Sequence, residues 1–416
     1  MRRYSEYKDS GVKWIGDIPK HWEVTRGKNI LNLITERSQS EVKVGLENIE
    51  GFTGQYIETA TKYDGEGVQV RVGDIVYGKL RPYLCKAWLA TFECNAVGDF
   101  YVFRCKNNNY TRYIHQLFLS HGFTDITNAS TYGARMPRVA SSFIQSLSFP
   151  IPPLAEQRAI VSYLDSKVGQ IDTYVAKQTQ QIELLKELKQ AVIANAVTKG
   201  IGTNPNAKRK QSGVNWLGEI PEHWEVSKLR KHFIPRIQKV SDKDFAPLSV
   251  TKDGILPQLD TACKTDNGEN RKLVRKGDYV VNSRSDRKGS GGISPFDGSV
   301  SLINIVIYPI DGEQEYYHYL FRCNNFVEEF YRNGRGIVAD LWTTRYQEMK
   351  NIEIPIPPLS EQRAIVSYIE AKTASINKLI DAYEQQVERV KEYKQRLISD
   401  AVTGKMNVTD EQTQTN

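Results

Sequence analysis

Residues 10–25, SGVKWIGDIPKHWEVT, return at 212–227 as SGVNWLGEIPEHWEVS, with Trp14 answered by Trp216, Pro19 by Pro221, His21 by His223 and Trp22 by Trp224. A second, longer stretch, FPIPPLAEQRAIVSYLDSKVGQID from Phe149, recurs as IPIPPLSEQRAIVSYIEAKTASIN from Ile354, and the AVT of 196–198 still matches the AVT of 401–403. Self-similarity over so long a period marks a chain built from two copies of one structural unit. Each copy reads as a shared opening segment, a variable block, and a shared helical segment. The displacement between copies is nearly constant, so the two variable blocks have the same length. Within them only RVGDIVYGK (71–79) against RKGDYVVNS (275–283) survives as a common trace, a turn followed by a β-branched and aromatic strand. The same scaffold with different exposed residues is expected.

The helical segments carry the second half of the argument. The extended IPIPP run is incompatible with a helix, and it places Pro153 or Pro358 at a first helical position with Glu156 or Glu361 in the first turn, where a carboxylate complements the helix dipole. Apolar residues then follow a four-three spacing: Leu164, Val168, Ile171, Val175, Ile182, Leu185 and Val192 in the first copy. Ile369, Thr373, Ile376, Ile380, Tyr383, Val387, Val390 and Leu397 answer in the second, with Lys189 and Lys394 as polar interruptions at equivalent places. That is a coiled-coil seam of about four heptads on helices roughly 60 Å long. A globular block separates the two helices in the chain, so antiparallel pairing about a pseudo-two-fold axis is the simplest arrangement.

Composition narrows the function. With 56 Lys and Arg against 49 Asp and Glu, the 416-residue chain carries a net charge of +7 and a pI near 8.9, a balance that favours an anionic partner. The five cysteines, Cys85, Cys94, Cys105, Cys263 and Cys323, are scattered and lack any CxxC pair or a histidine at zinc-finger spacing, and read as reduced thiols in a cytoplasm. MRRYSEYKDS has no apolar core of a signal peptide, and nowhere do about 18 apolar residues run together, so neither secretion nor a membrane span is expected.

Signatures of enzymatic chemistry are missing from the sequence. It has no GxxxxGK[ST], GxGxxG or HExxH, and no NPP[YF] or DPP[YF] of the kind that amino-methyltransferases use. Glu6-Tyr7-Lys8 and Glu392-Tyr393-Lys394 fit the ExK of many nucleases only superficially and read as solvated charge. The glycine-rich 288–292 segment, after Arg284 and Arg287, suits either a phosphate-holding loop or a flexible hairpin. His21 and His223, flanked by tryptophans in the opening segments, read as packing or docking residues.

Direct readout of base pairs uses Arg or Lys for guanine and Asn or Gln for adenine, with further cations on phosphates. The first block supplies Lys79, Arg81, Tyr83 and Lys86 just past its GD strand, then Arg135 and Arg138 within TYGARMPR (131–138). The second supplies Asn282, Arg284, Arg287 and Lys288 at the matching place, then Arg335 and Arg345. These twelve residues, clustered at equivalent positions in Gly- and Ser-rich loops, are the candidate DNA-binding residues.

The duplicated GDIP.HWE opening, the GDIVYGKLRPYL strand and turn, and the twice-occurring PIPPL.EQRAIVSY helix start closely resemble the specificity subunits of type I restriction–modification systems, over essentially the whole chain. The resemblance implies two target-recognition domains, each binding half of a bipartite double-stranded DNA target with an unspecified gap. It implies no cofactor and no catalysis in this chain, two modification subunits that methylate adenine N6 on a flipped base, and restriction subunits that supply translocation and cleavage. A stand-alone sequence-specific DNA-binding protein or a coiled-coil scaffold remains the alternative on the residues alone. The expected fold is α+β: two globular target-recognition domains with mainly β sheets, 1–150 and 213–355, separated by two long antiparallel coiled-coil helices in 151–199 and 356–405. A linker at 200–212 and a disordered tail at 406–416 complete the expectation.

Overall fold

The computed structural model describes residues 3–107, 111–202, 208–259, 268–336 and 342–408. The chain divides into two compact units, one of residues 1–179 with 384–416 and one of residues 180–383. The division differs from the tandem order of the sequence: the first unit is completed by a helix end from the far end of the chain, the second by the end of the helix that directly precedes it.

In the first unit four antiparallel strands, β1 (Leu31–Ile34), β2 (Ile75–Gly78), β3 (Ala87–Leu89) and β4 (Phe100–Cys105), lie in the order β1-β4-β2-β3. Alternation along these strands divides the core in two. Ile75, Tyr77 and Phe103 face the helices, whereas Val76, Trp88 and Val102 face a second small sheet. The polypeptide then enters helix α1 (Leu154–Lys199). In the second unit β5 (Phe233–Pro235), β6 (Tyr279–Asn282), β7 (Gly291–Ile293) and β8 (Asn304–Pro309) take the order β5-β8-β6-β7, the same topology. The same alternation recurs, with Tyr279, Val281, Ile305 and Ile307 on the helix side and Val280 and Val306 on the other. The last element is helix α2 (Leu359–Val402).

The opening segments zip each block shut. Tyr7–Asp9 pairs with Asp17–Pro19 and Glu23–Arg26 with Ser148–Ile151; in the second unit Arg209–Gln211 pairs with Glu219–Pro221 and Glu225–Lys228 with Glu353–Ile356. Trp22 and Trp224 are wholly buried. Each indole donates to the first-turn glutamate of a long helix, Glu156 at 2.9 Å and Glu361 at 2.8 Å, and the neighbouring histidine Nε2 lies 2.5 Å from the other carboxylate oxygen. These glutamates, expected only to complement a helix dipole, are the fasteners of the opening segment.

The heptad seam forms within each unit. In the second, Ile182, Ile376 and Ile380 pack with Leu185, Val192 and Tyr383, and Lys189 donates to Asn377 at 2.9 Å. In the first, buried Lys394 donates to Asp172 at 2.6 Å and Tyr174 to Gln386 at 3.3 Å. Rising numbers on one helix meet falling numbers on the other, which makes the pairing antiparallel. The two polar interruptions therefore answer each other, Lys189 with Asn377 and Lys394 with Asp172, as a pseudo-two-fold repeat requires.

Two boundaries differ from expectation. Arg209–Gln211 lies within the stretch assigned to the linker but forms a strand, because its backbone pairs with Glu219–Pro221 whatever its polar composition. Met406 and Val408, assigned to the tail, are buried in the first unit's core, where their side chains join Leu397, Ile398 and Val402. Residues 203–207, Cys263 and the remainder of the tail from 409 lie outside the described residues. The other four cysteines are free and buried.

Candidate nucleic-acid interface

The GD motif builds the platform for both sites. Gly73 (φ 88°) and Gly277 (φ 93°) occupy the left-handed region that a side chain disfavours, and the next residue, Asp74 or Asp278, is buried under the turn. Asp74 is held in a two-pronged ion pair by Arg104, at 2.7 Å on each arm, and accepts from the Arg71 amide. Asp278 is held the same way by Arg236, at 2.6 and 2.9 Å, and accepts from the Arg275 amide. The carboxylate is common to both copies, but the arginine comes from a different strand or loop in each, so its pairing was invisible in the repeat. The buried aspartates are structural.

Past the GD strand, two loops meet in each unit. Isolated bridges join Leu80 to Arg138 and Tyr132 to Arg138 in the first unit, Arg284 to Thr343 and Arg335 to Thr343 in the second. The Arg81 amide donates to Pro137 O at 2.8 Å, and the Ser285 amide to Trp342 O at 3.0 Å. The turns also have equal length, since the Gly78 amide reaches Lys86 O as the Asn282 amide reaches Ser290 O. The structure therefore brings Lys79, Arg81, Tyr83, Arg135 and Arg138 onto one loop pair, and Asn282, Arg284, Arg287, Lys288, Arg335 and Arg345 onto its counterpart.

Within each cluster the side chains divide into tethered and free. Arg138 is clamped by Asp99 at 3.0 and 2.9 Å, which raises its pKa through the hydrogen bonds and the charge. Lys79 sits 3.8 Å from the same carboxylate and 5.3 Å from the Tyr101 ring centroid. Lys86 is turned inward, its ammonium donating to Leu46 O at 2.6 Å, and burial lowers its pKa. Arg81, Tyr83 and Arg135 are exposed, and none takes part in an ion pair among the described residues. Arg81 holds an αL backbone (φ 51°, ψ 64°), costly for an arginine and a form of strain that clusters at functional turns.

In the second unit Lys288 pairs with Glu328 at 2.6 Å, Arg335 with Glu348 at 3.3 Å, and Arg284 and Arg287 flank Asp286 at 3.5 and 3.7 Å. The Asn282 side chain accepts from the Arg284 amide at 3.1 Å. Exposed Arg345 precedes the short helix Tyr346–Met349, its amide donating to Glu348 at 3.2 Å. A cleft of about 660 Å³ beside this turn is lined by Trp216, Ser285, Asp286, Lys288, Tyr331 and Trp342 among others. Sequence reasoning missed Asp99, Glu328 and Glu348, the carboxylates that restrain the candidate cations. No spacing rule marks a partner that only folding brings near.

Lys394 of one ExK tripeptide is occupied by Asp172, and Glu6 of the other by Lys20 at 2.8 Å. No group of three or more His, Cys, Asp and Glu suited to a metal occurs among the described residues, and no described helix is long and apolar enough to cross a membrane.

A family model described as the type I restriction modification DNA specificity domain matches residues 19–184 and 255–389. The putative type I restriction enzyme MjaX specificity subunit of Methanocaldococcus jannaschii is 25% identical, the alignment covering 97% of this chain and 98% of the relative. The EcoBI specificity subunit of Escherichia coli is also 25% identical, over 84% of this chain and 77% of the relative. A solved chain from work on complex assembly and conformational transition of the type I restriction–modification system shares the fold, with a TM-score of 0.68 at 19% identity, covering 94% of this chain and 99% of that one. With the family's pattern matched over most of its length and once in each copy of the repeat, the chain belongs to the type I restriction–modification DNA specificity family.

Proposed function

We propose that this chain is the sequence-reading subunit of a type I restriction–modification complex, that it reads the two halves of a bipartite duplex through the paired loops of its two units, and that it performs no methyl transfer or cleavage itself. One observation carries the reading: two blocks of the same topology present the same pair of bridged loops with different exposed side chains. A scaffold held constant while its loop tips vary is what independent recognition of two different half-sites demands.

Of the candidate residues, Arg81, Tyr83 and Arg135 in the first unit, and Arg284, Arg287, Arg335 and Arg345 in the second, are the contacts to base edges and phosphates. Lys288 is released from Glu328 when a phosphate competes for it. Lys79, Lys86, Arg138 and Asn282 shape the loops. Modification subunits dock on the chain and supply the cofactor-dependent chemistry, restriction subunits join that assembly, and the complex works in the cytoplasm, where its duplex target lies. Replacing residues 30–148 by another member's block, then mapping N6-methyladenine at base resolution, tests the reading. One half-site changes and the other persists; a swap that changes both halves, or neither, refutes it.

A further inference from the structure

The first loops of the two pairs align residue for residue, the second at their bridged residues, and their chemistry is exchanged. By the equal-length turns and the matching bridges, Tyr83 corresponds to Arg287, Leu84 to Lys288 and Tyr132 to Arg335. Cys85 and Gly289, both with left-handed backbone (φ 47° and 78°), confirm the register. At three positions where the second unit presents a cation, the first presents an exposed apolar or aromatic side chain: Tyr83 46%, Leu84 39% and Tyr132 58% exposed, with Met136 at 47% on the same loop. Arg81 and Arg135 flank this patch, and neither is in an ion pair among the described residues.

Four large apolar side chains on one loop pair form a patch that monomeric surfaces keep for a partner. The flanking guanidiniums select a partner that combines negative charge with apolar points. On the edge of duplex DNA the apolar feature is the thymine 5-methyl group in the major groove. Resting on the reading of these loops as the DNA site, we infer that the first unit recognises its half-site through van der Waals contact with thymine methyls, by Leu84, Tyr132 and Met136, whereas the second relies on cations. Tyr83 and the two arginines hold the flanking backbone.

The test uses the complete complex of this chain with its modification subunits and a duplex bearing both mapped half-sites. Deoxyuridine replaces thymine in one half at a time, removing the methyl and leaving every hydrogen-bonding group in place. In the first half, each contacted methyl lost raises Kd about four-fold, the transfer value for one buried methyl; the second half responds less. Grafting the second unit's residues as L84K/Y132R diminishes the response to deoxyuridine, leaving the part that Met136 supplies. Wild-type indifference to deoxyuridine in the first half overturns the inference, and so does an undiminished response in the graft. If R81A and R135A still weaken binding in those cases, the loops remain the DNA site and only the methyl reading falls. If neither arginine matters, the site itself is misplaced. If L84K/Y132R loses a modification subunit while sequence preference is unchanged, the patch is a protein interface and the inference fails.

Discussion

Replacing Tyr113 by Phe removes one buried hydroxyl from the joint that closes the first unit. The Tyr113 side chain is 1% exposed, and its single hydroxyl proton is shared between Val402 O at 2.7 Å and Pro150 O at 3.0 Å. It ties the end of α2 to the strand that precedes α1. Phenylalanine fills nearly the same volume, so the cavity term is small. The loss is one net hydrogen bond of about 1 kcal/mol, plus part of the roughly 1–3 kcal/mol for a buried carbonyl left bare, together about 2 kcal/mol. Opening of the α2 terminus then becomes about 30-fold more frequent. Native-state hydrogen exchange read by mass spectrometry on peptides covering 397–408 measures it. Tyr316→Phe is the internal control, because its hydroxyl meets Val197 O at 3.0 Å and Pro355 O at 3.2 Å, longer contacts at the equivalent joint of the second unit. It should loosen 193–199 somewhat less. Neither variant alters the half-sites. An exchange increase below about three-fold at 397–408, or an equal increase at 193–199 in Y113F, refutes the claim that the hydroxyl locks that joint.

Burial lowers the pKa of His115 to about 4, and that of His318 likewise to about 4. The unfolded chain therefore takes up the proton first: stability is complete above about pH 6.5 and is lost as pH falls from there toward about 4, costing about 2 kcal/mol at pH 5 for His115. Urea midpoints between pH 7.5 and 5 should fall for the wild type and fall less steeply in H115Q, which keeps His318; parallel curves would contradict this. Asp172→Ala, which strands the buried Lys394 ammonium, should destabilise the first unit by about 3 kcal/mol, whereas Asp172→Asn, which keeps a hydrogen bond to the ammonium but not its countercharge, should cost less; thermal melts of the two variants decide it. Gly404→Ala places a Cβ 2.3 Å from Pro19 Cδ at φ 74° and should unfasten the opening segment, seen as faster proteolysis near residues 4–22. R81A should lower the slope of log Kd against log salt by about one, whereas K86A, whose ammonium already serves Leu46 O, should leave that slope unchanged.

The repeat, read directly, was enough to specify two equivalent units, and the spacing of Leu164, Ile182, Ile376, Ile380 and Leu397 specified their helical seam. Periodicity is a local property that survives in a linear string, and side chains three and four apart share a face wherever the helix is placed. The GD strands were legible for the same reason: a glycine turn followed by β-branched residues codes its own conformation. The clustering of the cations was legible too, since Lys79–Lys86 and Asn282–Lys288 are near neighbours in the chain. Tertiary structure alone decided that each block closes on the C-terminal end of the other copy's helix, through Tyr113 to Val402 and Tyr316 to Val197. It also decided which cations stay free. Asp99 quenches Arg138 from 39 residues away, and Glu328 reaches Lys288 across 40. Such pairings depend on strands and helices brought together by apolar burial, which is non-directional and leaves no mark in the sequence beside the charges it happens to juxtapose.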